Sequence, residues 1–219
     1  NKSKFVELGD GTQGILPLEW IEKFAQYFNA SEITEAGKLL IPKINFSMVS
    51  ELFEEHMLDE AVKNELQVYR DQFSDFESIR EIEVPEALNA TLRPYQQEGL
   101  NWMNFLDDFN FGGCLADDMG LGKSIQIIAF ILSQRKKVSH NVNLIVVPAT
   151  LLFNWKMEIG KFAPSINVLT IHGSGIIKET SHFEHFEVVL TSYGTLLSDI
   201  NYLKDYHFNY IFLDESQHI

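Results

Sequence analysis

From residue 92 onward, short wholly apolar runs alternate with segments of helical periodicity. Leu144-Ile145-Val146-Val147 is apolar at every position and is ended by Pro148. Residues 168–171, 188–191 and 210–213 repeat that character, with β-branched residues prominent. Such runs, without in–out alternation, belong to strands buried on both faces of a parallel sheet. Between them, residues 92–106, 124–133, 151–162 and 195–203 predict helices. Residues 111–116 predict one more strand, running into the glycine-bearing stretch at 117–124. This half reads as α/β, with its ligand expected at the carboxyl ends of the strands.

The pattern changes before Glu83-Val84-Pro85-Glu86, where proline ends a helix-like segment. Upstream, residues 4–8 predict a strand and Gly9-Asp10-Gly11 a turn. Pro17 starts a helix with Ile21, Phe24, Ala25 and Phe28 on one face. Leu52, Phe53, Leu58, Val62, Leu66, Tyr69 and Phe73 predict amphipathic helices out to about residue 80, their apolar stripe being core. The expected organisation is a mainly helical region over 1–83, a linker over 84–90 and an α/β domain over 91–219.

Composition adds two constraints. Aromatic residues make up 12% of the 219 residues and apolar residues 45%, enough for a real core. The net charge of −14 is concentrated in residues 1–90, which hold 18 acidic against 8 basic side chains. That acidity weakens non-specific attraction to nucleic acid, so composition alone points away from DNA. The single cysteine, Cys114, excludes an internal disulfide framework and a cysteine zinc cluster, and is expected in the core. No apolar run approaches the ~20 residues that span a bilayer. The reading is a cytoplasmic protein with no membrane partner.

Candidate chemistry sits in Asp117-Asp118-Met119-Gly120-Leu121-Gly122-Lys123-Ser124. A glycine-rich turn between a strand and a helix aims backbone N–H groups at one point, where the helix dipole adds partial positive charge. Lys123 can reach the outer phosphates of a nucleotide and Ser124 can ligate Mg²⁺. Asp117 stands where the full phosphate-loop pattern has its first glycine. Further on, the strand Tyr210-Ile211-Phe212-Leu213 ends in Asp214-Glu215. Asp214 is placed to hold Mg²⁺, and Glu215 to orient or deprotonate an attacking water. Gln96, within Leu92-Arg93-Pro94-Tyr95-Gln96, offers the donor and acceptor needed to read adenine.

Together these segments resemble the Swi/Snf-type ATPases of helicase superfamily two, the motors of chromatin remodelling and their bacterial relatives. The resemblance runs through residues 92–103 (the adenine-reading Q motif), 117–124 (motif I) and 144–162 (motif Ia, with Asn154-Trp155 and Glu158). It continues through Thr191-Ser192-Tyr193-Gly194 (motif Ib) and Asp214-Glu215-Ser216-Gln217 (motif II). Ser216 departs from the alanine usual in motif II. The resemblance implies a RecA-like P-loop lobe with a parallel sheet flanked by helices, ATP and Mg²⁺ as cofactors, and double-stranded DNA as partner. It assigns catalysis to Lys123, Asp214 and Glu215, and nucleotide contacts to Gln96, Arg93 and residues Met119, Gly120, Leu121, Gly122, Lys123 and Ser124. Mg²⁺ falls to Ser124 and Asp214, coupling to a second lobe to Gln217, and DNA contacts to Thr150, Thr191, Ser192 and Tyr193.

Residues 9–17 with Trp20 are similar to the end of the helicase-associated region of many bacterial members. That likeness implies a bacterial source, hence nucleoid association, and a regulatory or substrate-recruiting role; the acidic residues 1–90 are also a candidate surface for a protein partner. The sequence stops four residues after Glu215, so the second lobe and its arginine fingers are expected elsewhere. Losing an arginine finger alone costs roughly 10³–10⁵ in turnover, so residues 1–219 are expected to hydrolyse ATP negligibly. Even the last strand of this lobe is expected to be missing, leaving an open sheet edge. Rival readings are another P-loop NTPase, such as a nucleotide kinase or GTPase, and a non-catalytic interaction module. His182-x-x-His185 has no third ligand in view, and Arg135-Lys136-Lys137 reads as a solvated helix end or a DNA contact.

Overall fold

Four apolar runs pair side by side because each can bury both of its faces only between helices. The structure, a computed structural model, describes residues 5–7, 13–15, 32–33, 39–40, 59–74, 79–173 and 180–218. The chain divides into two units, Asn1–Ser78 and Ile79–Ile219.

In the first unit, β1 (Phe5–Glu7) pairs antiparallel with β2 (Gln13–Ile15), and β3 (Glu32–Ile33) with β4 (Leu39–Leu40). The last three strands were not foreseen, being too short to show a period. Helix α1 (Glu60–Ser74) opens with Glu60, favourable at the positive end of its dipole, and buries Leu66. The turn at 9–11, the helix after Pro17, and Leu52, Phe53 and Leu58 lie outside the described residues.

In the second unit the order of elements is α2 (Pro94–Asp108), α3 (Lys123–Gln134), β5 (Asn143–Val147), α4 (Leu152–Phe162), β6 (Val168–Ile171), β7 (Val188–Ser192), α5 (Tyr193–Leu203) and β8 (Tyr210–Leu213). The strands form one parallel sheet in the order β6-β7-β5-β8. Central β5 and β7 are buried throughout. Alternate side chains divide between two cores, as the pleat requires. Ile145, Val147, Val188 and Leu190 pack with α2, α3 and α4, whereas Leu144, Val146 and Val189 pack toward α5. On β8, Tyr210 and Phe212 join the first core, while Ile211 (60% exposed) and Leu213 (47%) lie uncovered.

Residues 111–116 form no strand and have no sheet partner among the described residues. An apolar run becomes a strand only where a neighbour takes up its backbone groups. Here Gly113 instead lies against Trp102 and Leu106 of α2, where a Cβ would come within 2.3 Å of Leu106 Cδ1. Cys114 is accordingly exposed, not core. Residues 84–90, expected as a linker, belong to the second unit. Leu88 is buried in its core and Val84, Ala87 and Ala90 pack against it. The Asn89 N–H donates to the Phe162 carbonyl at 2.6 Å.

Helix α3 is apolar on nearly every side because it lies beneath α2 and over the sheet. Phe130 meets Tyr210 and Phe212 of β8 edge-on. Its carboxyl end is fixed by Arg135, whose Nε donates to Glu187 Oε1 at 2.7 Å and whose Nη1 donates to Ser165 Oγ at 3.1 Å. The hydrogen bond and charge of Glu187 outweigh burial and raise the Arg135 pKa. Lys137 binds Asp107 at 2.7 Å and Asp108 at 3.1 Å. Both basic residues are thus engaged in ion pairs within the lobe.

Two consequences are measurable. A Cβ on Gly99 would stand 1.9 Å from the buried Gln126 Oε1. Gly99→Ala is expected to destabilise the second unit by about 1–3 kcal/mol, the usual cost of overpacking, in urea melts. Tyr210 donates its phenol to Asp107, and burial first, then that bond and the charge of Asp107, raise its pKa well above 10. Up to about pH 10 the phenol is protonated in folded and unfolded chains alike; above it the unfolded chain ionises first and folding loses ground. Stability should therefore fall as pH rises from 10 toward 12, and Tyr210→Phe should make that fall shallower in melts across the range.

Candidate functional site

The loop before α3 is shaped by two left-handed glycines. Gly120 has φ 85°, with open space where a Cβ would stand. Gly122 has φ 78° and caps α3, where a Cβ would lie 2.6 Å from Gln96 Nε2. Only glycine meets both demands at 122. No side chain caps the first turn of α3, so its first amide donors are left without a capping acceptor.

Side chains from α2 and α3 hold this loop by its backbone. Gln96 Nε2 donates to the Leu121 carbonyl at 2.9 Å, and Tyr95 Oη donates to the same oxygen at 3.0 Å. Gln96 Oε1 accepts the Arg93 N–H at 2.9 Å, and the Arg93 side chain is exposed. Gln126 Nε2 donates to Asp117 Oδ2 at 2.9 Å, which gives the aspartate at the first-glycine position a definite structural task. Lys123 curls back so that Nζ donates to the carbonyls of Asp117 (2.8 Å) and Asp118 (3.3 Å). No carboxylate pairs with it among the described residues. An ammonium held only by neutral carbonyls keeps its charge available to an anion.

The second cluster sits where β8 ends. The Asp214 N–H donates to the Val146 carbonyl at 2.9 Å, extending the β5–β8 ladder by one bond. Asp214 Oδ2 accepts from Trp155 Nε1 at 2.7 Å and Oδ1 from the Glu215 N–H at 3.1 Å. Tyr193 Oη donates to the Asp214 carbonyl at 2.7 Å. Burial, then the charges of Asp214 and Glu215, raise the Tyr193 pKa, so that phenol stays a donor at neutral pH. Glu215 takes a left-handed backbone (φ 53°), which non-glycine residues adopt mainly where their surroundings force it, and Gln217 Nε2 donates to its carboxylate.

Both clusters lie at one edge of the sheet. Arg135, just past the end of α3, binds Glu187 immediately before β7, and Asn141, just before β5, donates to the Ile131 carbonyl at 3.1 Å. The carboxyl end of α3 is therefore at the amino ends of the strands. Twelve helical residues rise about 18 Å, close to the length of a five-residue strand. The amino end of α3 consequently reaches the carboxyl edge, where Asp214 and Glu215 stand.

The expected DNA contacts divide. Thr150 is exposed in the short 3₁₀ turn Ala149–Leu151 that leads from β5 into α4. Thr191 is fully buried and its hydroxyl donates to the Ile171 carbonyl at 3.0 Å. Ser192 is buried and its Oγ accepts the Thr195 N–H at 3.3 Å as the cap of α5. Tyr193 points at Asp214. The hydroxyls of Thr191 and Ser192 are thus used inside the lobe, and half-buried Tyr193 uses its own on the Asp214 carbonyl. No group of three or more potential metal ligands occurs among the described histidines, cysteines and acids, His182 and His185 included.

Sequence reasoning missed Tyr95, Gln126 and the reach of Trp155. Gln126 carried a signal, being a polar residue inside the otherwise apolar run from Ile125 to Leu132. Trp155 carried another, since a buried indole N–H almost always has an acceptor.

The comparisons accord with this geometry. Residues 95–219 match the SNF2-related domain. The chain is 44% identical over 150 residues to the "Putative ATP-dependent helicase/translocase YwqA" of Bacillus subtilis, covering 65% of this chain and 16% of that protein. An "Uncharacterized ATP-dependent helicase" of Mycoplasma pneumoniae is 32% identical over 212 residues, covering 92% of this chain and 20% of its own length. The SWI2/SNF2 ATPase core of Sulfolobus solfataricus in complex with double-stranded DNA superposes with a TM-score of 0.58 at 38% identity, covering 64% of this chain and 29% of that one. This chain thus spans a fifth or less of the two relatives in sequence. With over half of its residues matched to the domain and the parallel RecA-like sheet in place, the chain belongs to the SNF2-related family.

Proposed function

We propose that this chain is the ATP-binding first lobe of a DNA-dependent ATPase that translocates on double-stranded DNA. The observation that carries the proposal is the uncapped amino end of α3, with Lys123 held only by carbonyls, at the same sheet edge as Asp214 and Glu215. Amide donors, a free positive charge and two carboxylates at one edge suit a triphosphate with its cation. The residues fit both groups. Gly120 holds the loop in a left-handed turn, with open space beside it, and Asp214 and Ser124 are the oxygen donors that Mg²⁺ prefers. When bound, the cation supplies charge neutralisation at the phosphates.

Each residue then has a task. Lys123 leaves its carbonyls for the outer phosphates, Asp214 and Ser124 hold the cation, and Glu215 orients a water and takes its proton. Gln96 reads adenine with the N–H and the lone pair not used on Leu121 and Arg93, while Tyr95 steadies the same loop. Gln217 carries the state of Glu215 toward a second lobe. Thr150 is the one side chain of the four that is turned outward, and it meets a DNA phosphate. Thr191, Ser192 and Tyr193 support that surface from within. Support for DNA as the partner comes from the Sulfolobus solfataricus core in complex with double-stranded DNA. We assign the acidic residues 1–90 to a protein partner, and the intact protein to the cytoplasm and its nucleoid. Among the described residues no helix is long and apolar enough to cross a membrane.

Lys123→Ala should weaken ATP binding at least tenfold by calorimetry while leaving the melting curve in place; equal affinity would remove the site. Competition of ATP against GTP checks Gln96. The parent chain should favour ATP and Gln96→Ala should bind the two equally, whereas retained preference would take Gln96 out of the adenine site.

A further inference from the structure

We infer that Trp155 is a positioning residue for Asp214, through which the turn carrying Thr150 acts on the carboxylate assigned to Mg²⁺. The inference rests on the ATP–Mg²⁺ reading above and adds a route by which an event at the DNA-facing turn reaches the metal ligand.

Trp155 is 4% exposed and sits in the first core beside Leu152 and Ile159, against the sheet. A buried indole N–H needs an acceptor, and this one has a charged oxygen, Asp214 Oδ2, at 2.7 Å. Charge-assisted bonds are roughly twice as strong as neutral ones. Asp214 Oδ1 is held separately by the Glu215 N–H at 3.1 Å. Two donors on two oxygens fix the plane of the carboxylate. Each oxygen keeps a lone pair for a cation, so the carboxylate is aimed rather than blocked.

The other end of the connection is equally short. Thr150 lies in the turn Ala149–Leu151, which passes directly into α4. Trp155 follows in the first turn of that helix. A helix transmits displacement as a rigid body, and its core-facing side chains leave the indole no independent motion. Any shift of the turn therefore moves the donor that orients Asp214. Tyr193, at the start of α5, holds the carbonyl of the same residue at 2.7 Å. Asp214 is thus gripped by side chains from the two helices that follow β5 and β7.

The test uses the whole chain, labelled with ¹⁵N at its three tryptophan indoles. Trp155→Phe identifies the Trp155 N–H resonance by its loss. That resonance is expected downfield, and Asp214→Ala should move it upfield; no movement overturns the inference, even if Trp155→Phe folds poorly. Calorimetry supplies the second readout. Trp155→Phe should weaken binding of Mg·ATP about tenfold, the usual cost of losing a partner that orients a metal ligand, with binding of metal-free ATP unchanged. A general loss of packing would lower both. Unchanged Mg·ATP affinity in Trp155→Phe, with a clear loss in Asp214→Ala, would overturn the positioning role and leave the nucleotide reading standing. If Asp214→Ala also leaves Mg·ATP binding intact, the reading of the site falls and the inference with it.

Discussion

The burial of α3 is the constraint on which the rest depends. A helix with Ile125, Ile128, Ala129, Phe130, Ile131 and Leu132 buried has no side to give to water. It can only lie between another helix and the sheet, and α2 supplies the second cover. Its direction is then set at one end by Arg135 and Glu187. With position and polarity fixed, the amino end of α3 must emerge at the carboxyl edge of the strands. The candidate site is located by a packing problem and one half-buried ion pair.

Most of the polar groups near that edge fall into two hydrogen-bonded sets. In one, the loop carbonyls absorb the donors of Lys123, Gln96 and Tyr95; in the other, Asp214 absorbs those of Trp155, Glu215 and Tyr193. Satisfying buried or half-buried polar atoms internally costs little and keeps the loop ordered. It also means that binding an anion exchanges hydrogen bonds rather than creating them outright. On the proposed reading Lys123 would give up carbonyls for phosphate, a trade that favours the charged acceptor.

Much of this was legible in the sequence. Strands β5 to β8 are continuous apolar runs, and helices α2 to α5 were placed within about two residues, because periodicity and glycine or proline punctuation mark both. The glycine-bearing loop before α3 and Asp214-Glu215 after β8 were visible as residue types next to such segments. Residues 111–116 were not, since apolar character alone cannot say whether a pairing partner exists. Thr191 and Ser192 show a second gap. A hydroxyl in a motif looks the same whether it faces a ligand or a carbonyl of the next strand. Only the register, Ile171 beside Thr191, decides it. Residues 84–90 show a third, where proline and charge resemble a linker although Leu88 anchors the segment.

Cys114 carries a practical corollary. It is the sole thiol of these 219 residues, it is accessible, and it stands three residues ahead of Asp117 on a stretch without sheet pairing among the described residues. A maleimide dye would therefore attach at one place, without engineered cysteines and without touching the core. The label would sit beside the segment that Lys123 and Gln126 hold down, giving these 219 residues an optical reporter of loop rearrangement.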